Sequence, residues 1–202
     1  MDRLKEIIND ITPFIKKEGF EKKGNNFYKK LNKNYGIINF QKSQDGNKDE
    51  VKFTLNFGVY SDLLGKFVDF DYDASKVPDV WSCHWQARIG QFMPSNPDHW
   101  WSIKASDSLD NINSVLISNI QNIILPEIDK RLTDESLMKS LIKGEFIRST
   151  AVEEFKYLTI FLKAKGDIEA LNEVVEKFMR QPDGKKYPDI VKEHLEEIEY
   201  SN

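Results

Sequence analysis

The stretch VKFTLNFGV, residues 51–59, alternates apolar and polar side chains along its whole length. Valine, phenylalanine and leucine take the odd-numbered positions, and lysine, threonine, asparagine and glycine take the even-numbered ones. Successive side chains of a β-strand point to opposite faces of its sheet, so this period of two predicts a strand with one buried face and one polar face. The fold is therefore expected to contain a sheet that is covered on one side.

Residues 81–90, WSCHWQARIG, repeat this alternation. The apolar series comprises Trp81, Cys83, Trp85, Ala87 and Ile89, and the polar series comprises Ser82, His84, Gln86 and Arg88. We predict a second strand here, with the apolar series in the core and the polar series on the opposite face. That polar face carries a histidine, an amide and a guanidinium, which are groups that commonly bind ligands.

Three more segments have strand character: residues 26–31, 35–43 and 100–104. The polar sequence QDGNKDE, residues 44–50, contains Asp-Gly and predicts a hairpin turn before the strand at 51–59. Consecutive strands joined by short turns favour antiparallel pairing. The sequence thus predicts an antiparallel sheet of four to five strands.

Apolar residues at helical spacing precede and follow the predicted sheet. One stripe begins at Leu109, and from Thr133 onward every segment has a helical pattern. The N-terminal stripe comprises Leu4, Ile7, Ile8, Ile11 and Ile15. We predict the α+β fold class with helices packed on one face of the sheet: an α+β domain over residues 1–132, and an α-helical C-terminal extension over residues 133–202 packed on that domain.

The composition disfavours several classes of protein. The 202 residues carry a formal net charge of −4, whereas nucleic-acid-binding proteins need a positive field at the phosphates. Cys83 is the only cysteine, so no internal disulfide can form and a reducing compartment is expected. The charged N-terminal segment has no signal-peptide core, and no apolar run reaches the roughly 20 residues of a membrane span. We expect a cytoplasmic protein that contacts neither membrane nor nucleic acid.

Six residues are candidate ligand-binding groups. If the polar sides of the strands coincide, amide, hydroxyl, imidazole and guanidinium groups line one surface, and an exposed tryptophan can stack on a ring at its edge. The candidates are Gln41, Ser43, Asn56, His84, Arg88 and Trp101. The alternative is an ordinary solvated face of an antiparallel sheet, and the strand pattern alone does not separate the two interpretations.

No motif predicts a catalytic residue, a metal site or a cofactor. Cys83 and His84 are neighbours on a predicted strand and point to opposite faces, so the histidine cannot activate the thiol. The three histidines show no paired metal-ligand spacing. Alternate aspartates in residues 69–73 resemble the start of a calcium loop, but that loop needs Gly and Glu where the chain has Ala74 and Val80.

Several short fragments occur in an order that resembles a known family. They are residues 19–27 (GFEKKGNNF), 38–43 (INFQKS), 53–59 (FTLNFGV), 88–90 (RIG), 100–101 (WW) and 125–126 (LP). Over roughly residues 1–132 they resemble the bacterial domain-of-unknown-function family DUF4304. The resemblance implies a bacterial α+β protein and no assigned activity. Gln41, Ser43, Asn56 and Arg88 belong to these fragments, which favours a site on the polar face.

The sequence leaves three functions open. The acidic charge, the helical extension and the missing catalytic motifs favour a non-enzymatic protein-interaction module, of adaptor or immunity type, that binds a protein partner. The second function is small-molecule binding, with an anionic or cyclic ligand held on the polar face by residues such as Arg88 and Gln41. The third is an enzyme with an unrecognised site, which would require a strongly shifted titrating group in a pocket.

Overall fold

The computed structural model describes residues 3–45, 50–94 and 98–200. The strands are β1 (Glu21–Lys23), β2 (Asn26–Leu31), β3 (Asn34–Lys42), β4 (Glu50–Tyr60), β5 (Trp85–Arg88) and β6 (Trp101–Lys104). The helices are α1 (Arg3–Lys17), α2 (Asp62–Val68), α3 (Asp110–Asn119), α4 (Leu125–Asp129), α5 (Asp134–Ile142), α6 (Ala151–Lys165), α7 (Ile168–Arg180), α8 (Pro182–Lys186) and α9 (Pro188–Glu197). None of these described helices combines the length and the apolar character that crossing a membrane requires.

The six described strands form one open antiparallel sheet. Its order is β1-β2-β3-β4, and the far edge of β4 pairs with β5 along residues 56–59 and with β6 along residues 50–53. This sheet confirms the predicted α+β class, and β2, β3, β4 and β6 lie in the predicted strand segments. The short strand β1 was not predicted. Residues 46–49 of the predicted hairpin turn lie outside the described residues.

One face of the sheet is apolar and packs against α1 and α4, and α3 packs against α1. Cross-strand register places Phe27, Ile38, Phe57 and Ala87 in one row on this face, and all four are buried. The predicted leucine and isoleucine stripe of α1 is buried as well, so a long amphipathic helix covers the sheet as the sequence indicates. Helices on this apolar face leave the opposite, polar face available for other contacts.

The predicted strand over residues 81–90 is wrong at both ends, because β5 spans only Trp85–Arg88. Before β5, the carboxylate of Asp79 accepts hydrogen bonds from the backbone N–H groups of Trp81 (2.8 Å) and Ser82 (2.9 Å) and caps a 3-10 turn. This turn ends the strand alternation, so Trp81 is 51% exposed and does not enter the core. After β5, a second 3-10 turn begins at Ile89.

The same turn places Cys83 on the polar side of the sheet. Cys83 packs in a small second cluster with Ile37, Tyr60 and Val80, separate from the main core. Gly58 makes this approach possible, since a Cβ at that position would lie 2.7 Å from the Cβ of Cys83. The polar face is therefore apolar and closely packed at one end.

The residues after Leu132 are helical, as predicted. At the start of α6, the N–H of Thr150 donates to Glu153 Oε2 (2.8 Å) and the N–H of Glu153 donates to Thr150 Oγ1 (3.2 Å), which is a capping box. Gly166 ends α6 with a φ of 74°, a conformation that glycine adopts without strain. The division into two domains near Leu132 stays a prediction.

A buried polar network joins the helical extension to the sheet. The indole N–H of Trp85 donates to the backbone carbonyl of Glu145 (3.2 Å), and the guanidinium of Arg131 lies 4.1 Å from the centroid of the Trp85 rings. Arg131 also forms ion pairs with Glu127 (2.6 Å) and Glu145 (3.1 Å). This network holds the connection between α5 and α6 against the start of β5.

Candidate functional site

Four polar residues form a row across the middle of the polar face. Cross-strand register places Asn26, Asn39, Asn56 and Arg88 opposite one another on β2, β3, β4 and β5. The amide of Asn39 donates to Asn26 Oδ1 (2.7 Å), and the amide of Asn56 donates to Asn39 Oδ1 (3.3 Å). We call this row the polar ladder. Each of its members hydrogen-bonds to another member.

Arg88 is held by partners within the chain. Its Nε donates to Asn56 Oδ1 (3.2 Å) and its Nη2 donates to Gln41 Oε1 (3.2 Å). Its Nη1 forms an ion pair with Asp98, and the Arg88 side chain lowers the pKa of that carboxyl. The guanidinium also lies 5.3 Å from the centroid of the Trp100 rings. These contacts use the groups that would otherwise grip an anionic ligand.

The structure brings three of the six candidate residues together and separates the others. Gln41, Asn56 and Arg88 meet at the polar ladder, where Asn56 also donates to Gln41 Oε1 (2.8 Å). Ser43 lies beyond the end of β3, where its hydroxyl accepts a hydrogen bond from the N–H of Asp45 (3.1 Å). The remaining two candidates, His84 and Trp101, lie elsewhere.

The expectation of an exposed Trp101 is corrected. Trp101 pairs in register with Phe53, and because Phe53 faces the core, Trp101 faces it too. The two rings stack with centroids 5.5 Å apart, and Trp101 is buried. Trp100, the neighbour of opposite parity, lies beside Arg88 on the polar face.

His84 lies beside a cleft that the sequence did not predict. Residues 81–86, the end of α2 and the start of α6 enclose a space of about 350 Å³, with Ile190 of α9 at its margin. We call this space the His84 cleft. Its walls include Asp69, Trp81, Lys156 and Tyr157, so it joins the sheet region to the helical extension.

His84 is buried and makes only one hydrogen bond in the described part of the chain. Its Nδ1 accepts a hydrogen bond from the backbone N–H of Ser61 (3.1 Å), and its Nε2 has no partner among the described residues. The ring packs between Tyr60 (centroids 4.9 Å apart) and Tyr157 (5.2 Å). Burial lowers the pKa of His84 to about 3, so the imidazole is neutral and carries its proton on Nε2.

Local structure at the end of β4 fixes this orientation. β4 ends at Tyr60, and Ser61 caps α2 by accepting a hydrogen bond from the N–H of Leu64 (3.2 Å). The Ser61 hydroxyl donates to Asp134 (2.7 Å), which anchors the turn to α5. The N–H of Ser61 is thereby aimed at His84 and sets its tautomer.

The His84 cleft has charged groups of both signs. Asp69 accepts a hydrogen bond from the hydroxyl of Tyr60 (2.6 Å), and burial raises the pKa of its carboxyl. Glu153 is part of the capping box of α6. Lys156 forms no ion pair with any residue in the described ranges, although it lines the same cleft. The environment is therefore polar without a strong net charge.

Other reactive features are absent from the described residues or inert. No group of three or more His, Cys, Asp or Glu side chains in the described ranges could hold a metal ion. Cys83 is buried, and burial raises the pKa of its thiol well above the usual range. A larger apolar groove of about 460 Å³ lies between α5, α6 and α7, and no described residue that lines it carries a buried polar atom without a partner.

Sequence reasoning missed Trp81, Lys156 and Tyr157 as neighbours of His84. The cleft brings together segments that are far apart in the chain, and no pattern within either segment indicates the contact. The capping box at Thr150 marks where α6 begins, but it does not indicate what α6 faces.

A family model described as "Domain of unknown function (DUF4304)" matches residues 11–130, which is more than half of the chain. No curated protein and no solved structure matches the chain. The matched residues include the polar ladder and His84, whereas Lys156 and Tyr157 lie beyond them. The resemblance stated from the sequence is confirmed, and the chain belongs to the DUF4304 family.

Proposed function

We propose that this protein binds a small organic molecule in the His84 cleft. The observation that carries the proposal is the cleft of about 350 Å³ with His84 in its wall, together with the buried Nε2–H of that residue, which has no acceptor among the described residues. Buried polar groups in folded proteins are nearly always hydrogen-bonded, so an unpartnered donor beside a cleft suggests that a ligand supplies the partner.

The proposed role of His84 is that of a fixed hydrogen-bond donor. Its Nδ1 already accepts a hydrogen bond from Ser61, and its Nε2 already holds the proton, so neither nitrogen is free to take a proton from a substrate. The lowered pKa keeps the ring in this neutral form at physiological pH. The enzyme hypothesis requires a titrating group with a strongly shifted pKa, and His84 has one. The hydrogen bond at its Nδ1 and the proton on its Nε2 nevertheless favour a binding role over acid–base catalysis.

The polar ladder supports ligand binding less well than the cleft does. Arg88 donates hydrogen bonds to Gln41 and Asn56. A ligand would have to displace these hydrogen bonds before it could form its own. We therefore assign the ladder a structural role, which agrees with the second interpretation of the polar face that the sequence left open.

Ligand-observed NMR with a library of aromatic fragments tests the proposed site. Trp81 is 51% exposed at the cleft, so Trp81→Arg should block the cleft without unfolding the protein. Ile142→Arg is the matched control, since Ile142 is 61% exposed at the apolar groove between α5, α6 and α7. Fragments should bind the wild-type protein and Ile142→Arg and fail to bind Trp81→Arg. Equal binding to both variants would contradict the proposed site.

A protein-interaction module is the second candidate, and exposed apolar side chains in the segment after β4 favour it. Phe67, Phe70 and Val77 are 40%, 102% and 41% exposed on the segment that follows β4. Native mass spectrometry of the protein, purified gently from its own cells, should then show a second polypeptide at fixed stoichiometry. Phe70→Ser should abolish that complex, and Ile168→Ser, at a 50% exposed position on α7, should preserve it.

A further inference from the structure

We infer, as a narrower form of the proposed function on which it rests, that the His84 cleft takes a neutral, planar carbonyl compound such as an aromatic amide or a lactam. The carbonyl oxygen would accept a hydrogen bond from the Nε2–H of His84, and the ring would lie against Trp81. The donor, the charges and the rim of the cleft each support this class of ligand.

The Nε2–H group of His84 requires a hydrogen-bond acceptor, and its position determines where the acceptor of the ligand must lie. The backbone N–H of Ser61 occupies Nδ1 of His84 at 3.1 Å, so the ring presents Nε2–H alone. This atom is buried and has no partner within residues 3–45, 50–94 and 98–200. A ligand oxygen at hydrogen-bond distance would satisfy a group that is otherwise desolvated without compensation.

The lining of the cleft disfavours an ion of either sign, for two different reasons. The carboxyl groups of Asp69 and Glu153 outnumber the ammonium group of Lys156, so the field in the cleft disfavours an anion. An alkylammonium group has no lone pair to accept the hydrogen of His84. A neutral acceptor escapes these penalties, which separates this ligand class from the anionic ligand that the sequence suggested for Arg88.

The rim of the cleft favours a flat ring. Trp81 exposes about half of its surface there, and Val152 and Ile190 add apolar surface. Tyr157 packs edge-on against His84 at the inner wall, with ring planes 89° apart. Aromatic side chains bind planar ligands by offset stacking and edge contacts, so a ring that carries the carbonyl matches both the rim and the donor.

Three probes of similar shape and different charge test the ligand class: benzamide, benzoate and benzylammonium. Titration calorimetry at pH 7 should show that benzamide binds the wild-type protein at least tenfold more tightly than either ion. Long-range ¹H–¹⁵N correlation spectra should show His84 as the Nε2-protonated tautomer, and its ¹⁵N resonances should shift when benzamide saturates the protein. Absence of that shift, or a different tautomer, would overturn the inference.

Two substitutions separate the donor from the rest of the ring. His84→Asn keeps an oxygen near the position of Nδ1 but cannot reach the position of Nε2, so benzamide affinity should fall at least tenfold. His84→Gln places an amide donor farther out and should lose less affinity. Ile142→Arg should leave the affinity unchanged. If His84→Asn does not fold, the affinities of the wild-type protein for benzamide and for toluene, which lacks the carbonyl group, are compared instead. If benzamide binds less than tenfold more tightly than toluene, the inference is overturned.

The outcomes also separate this inference from the proposed function. Tighter binding of benzoate or benzylammonium would overturn the neutral carbonyl class and leave ligand binding in the cleft intact. Failure of all three probes together with the whole fragment library would remove both.

Discussion

The polar ladder and the His84 cleft contain similar polar groups that differ in whether they have hydrogen-bond partners. In the ladder, the amides of Asn39 and Asn56 and the guanidinium of Arg88 are bonded to one another. At the cleft, the imidazole of His84 is buried as well, yet its Nε2 has no partner among the described residues. A row of polar side chains therefore does not mark a binding site by itself. A buried hydrogen-bonding group without a partner is the better indicator.

The largest expected effect tests whether the ladder is structural. Asn56 is fully enclosed, and its side chain hydrogen-bonds to Asn39, Gln41 and Arg88. Asn56→Ala removes a buried side chain and takes one hydrogen bond from each of these partly buried partners, so the free energy of unfolding should fall by about 2–4 kcal/mol. Urea denaturation measures this change.

Lys30→Ala is the control for the ladder, since Lys30 is an exposed residue on the same sheet and should change stability by less than about 0.5 kcal/mol. If Asn56→Ala is as mild as this control, the ladder is not structural and its groups are available for a ligand.

A smaller effect tests the protonation state of His84. Its pKa is about 3 in the folded protein and 6.5 in the unfolded chain, so below pH 6.5 only the unfolded chain takes up this proton. Stability from this group is therefore lost as the pH falls from 6.5 towards 3. Between pH 7 and pH 5 the loss should be about 2 kcal/mol.

The measurement compares wild type with His84→Gln, which cannot titrate, by urea denaturation at both pH values. The variant should lose about 2 kcal/mol less between pH 7 and pH 5 than the wild type loses. An identical pH dependence would show that His84 is not held neutral by burial, and the contrast between the cleft and the ladder would fail.

The smallest effect tests how much the ion pair adds to the ladder. Asp98 is 65% exposed and pairs with Arg88, whose other hydrogen bonds go to Asn56 and Gln41. Asp98→Asn should lower the free energy of unfolding by less than about 1 kcal/mol, because exposed ion pairs contribute little. A larger loss in urea denaturation would mean that Asp98, and not the amides, positions Arg88.

The sheet was predictable from the sequence where alternation was long and turns were short. β2, β3 and β4 lie in the predicted segments because one buried face imposes a strict period of two. The prediction failed over residues 81–84 because Asp79 caps a turn there, and the two backbone hydrogen bonds that its carboxylate accepts outweighed four residues of favourable pattern.

The candidate site was predictable only in part. Gln41, Asn56 and Arg88 could be grouped because they share strand parity, whereas Trp100 and Trp101 could not be told apart without the register to Phe53. Lys156 and Tyr157 could not be linked to His84 at all, since tertiary packing of α6 brings them together. Sequence periodicity indicates which face a residue takes, but it does not identify the segment that covers that face.

The position of Ser61 has a consequence for the order in which the molecule is assembled. The β2–β4 meander joins neighbouring segments, so it can form as soon as residue 60 has left the ribosome. Ser61, however, is anchored to Asp134, 73 residues farther along the chain. The cleft wall in α6 is made later still. A nascent or truncated chain can therefore hold the β2–β4 meander while it lacks the cavity, and the protein gains its proposed binding capacity only after α6 has been synthesised.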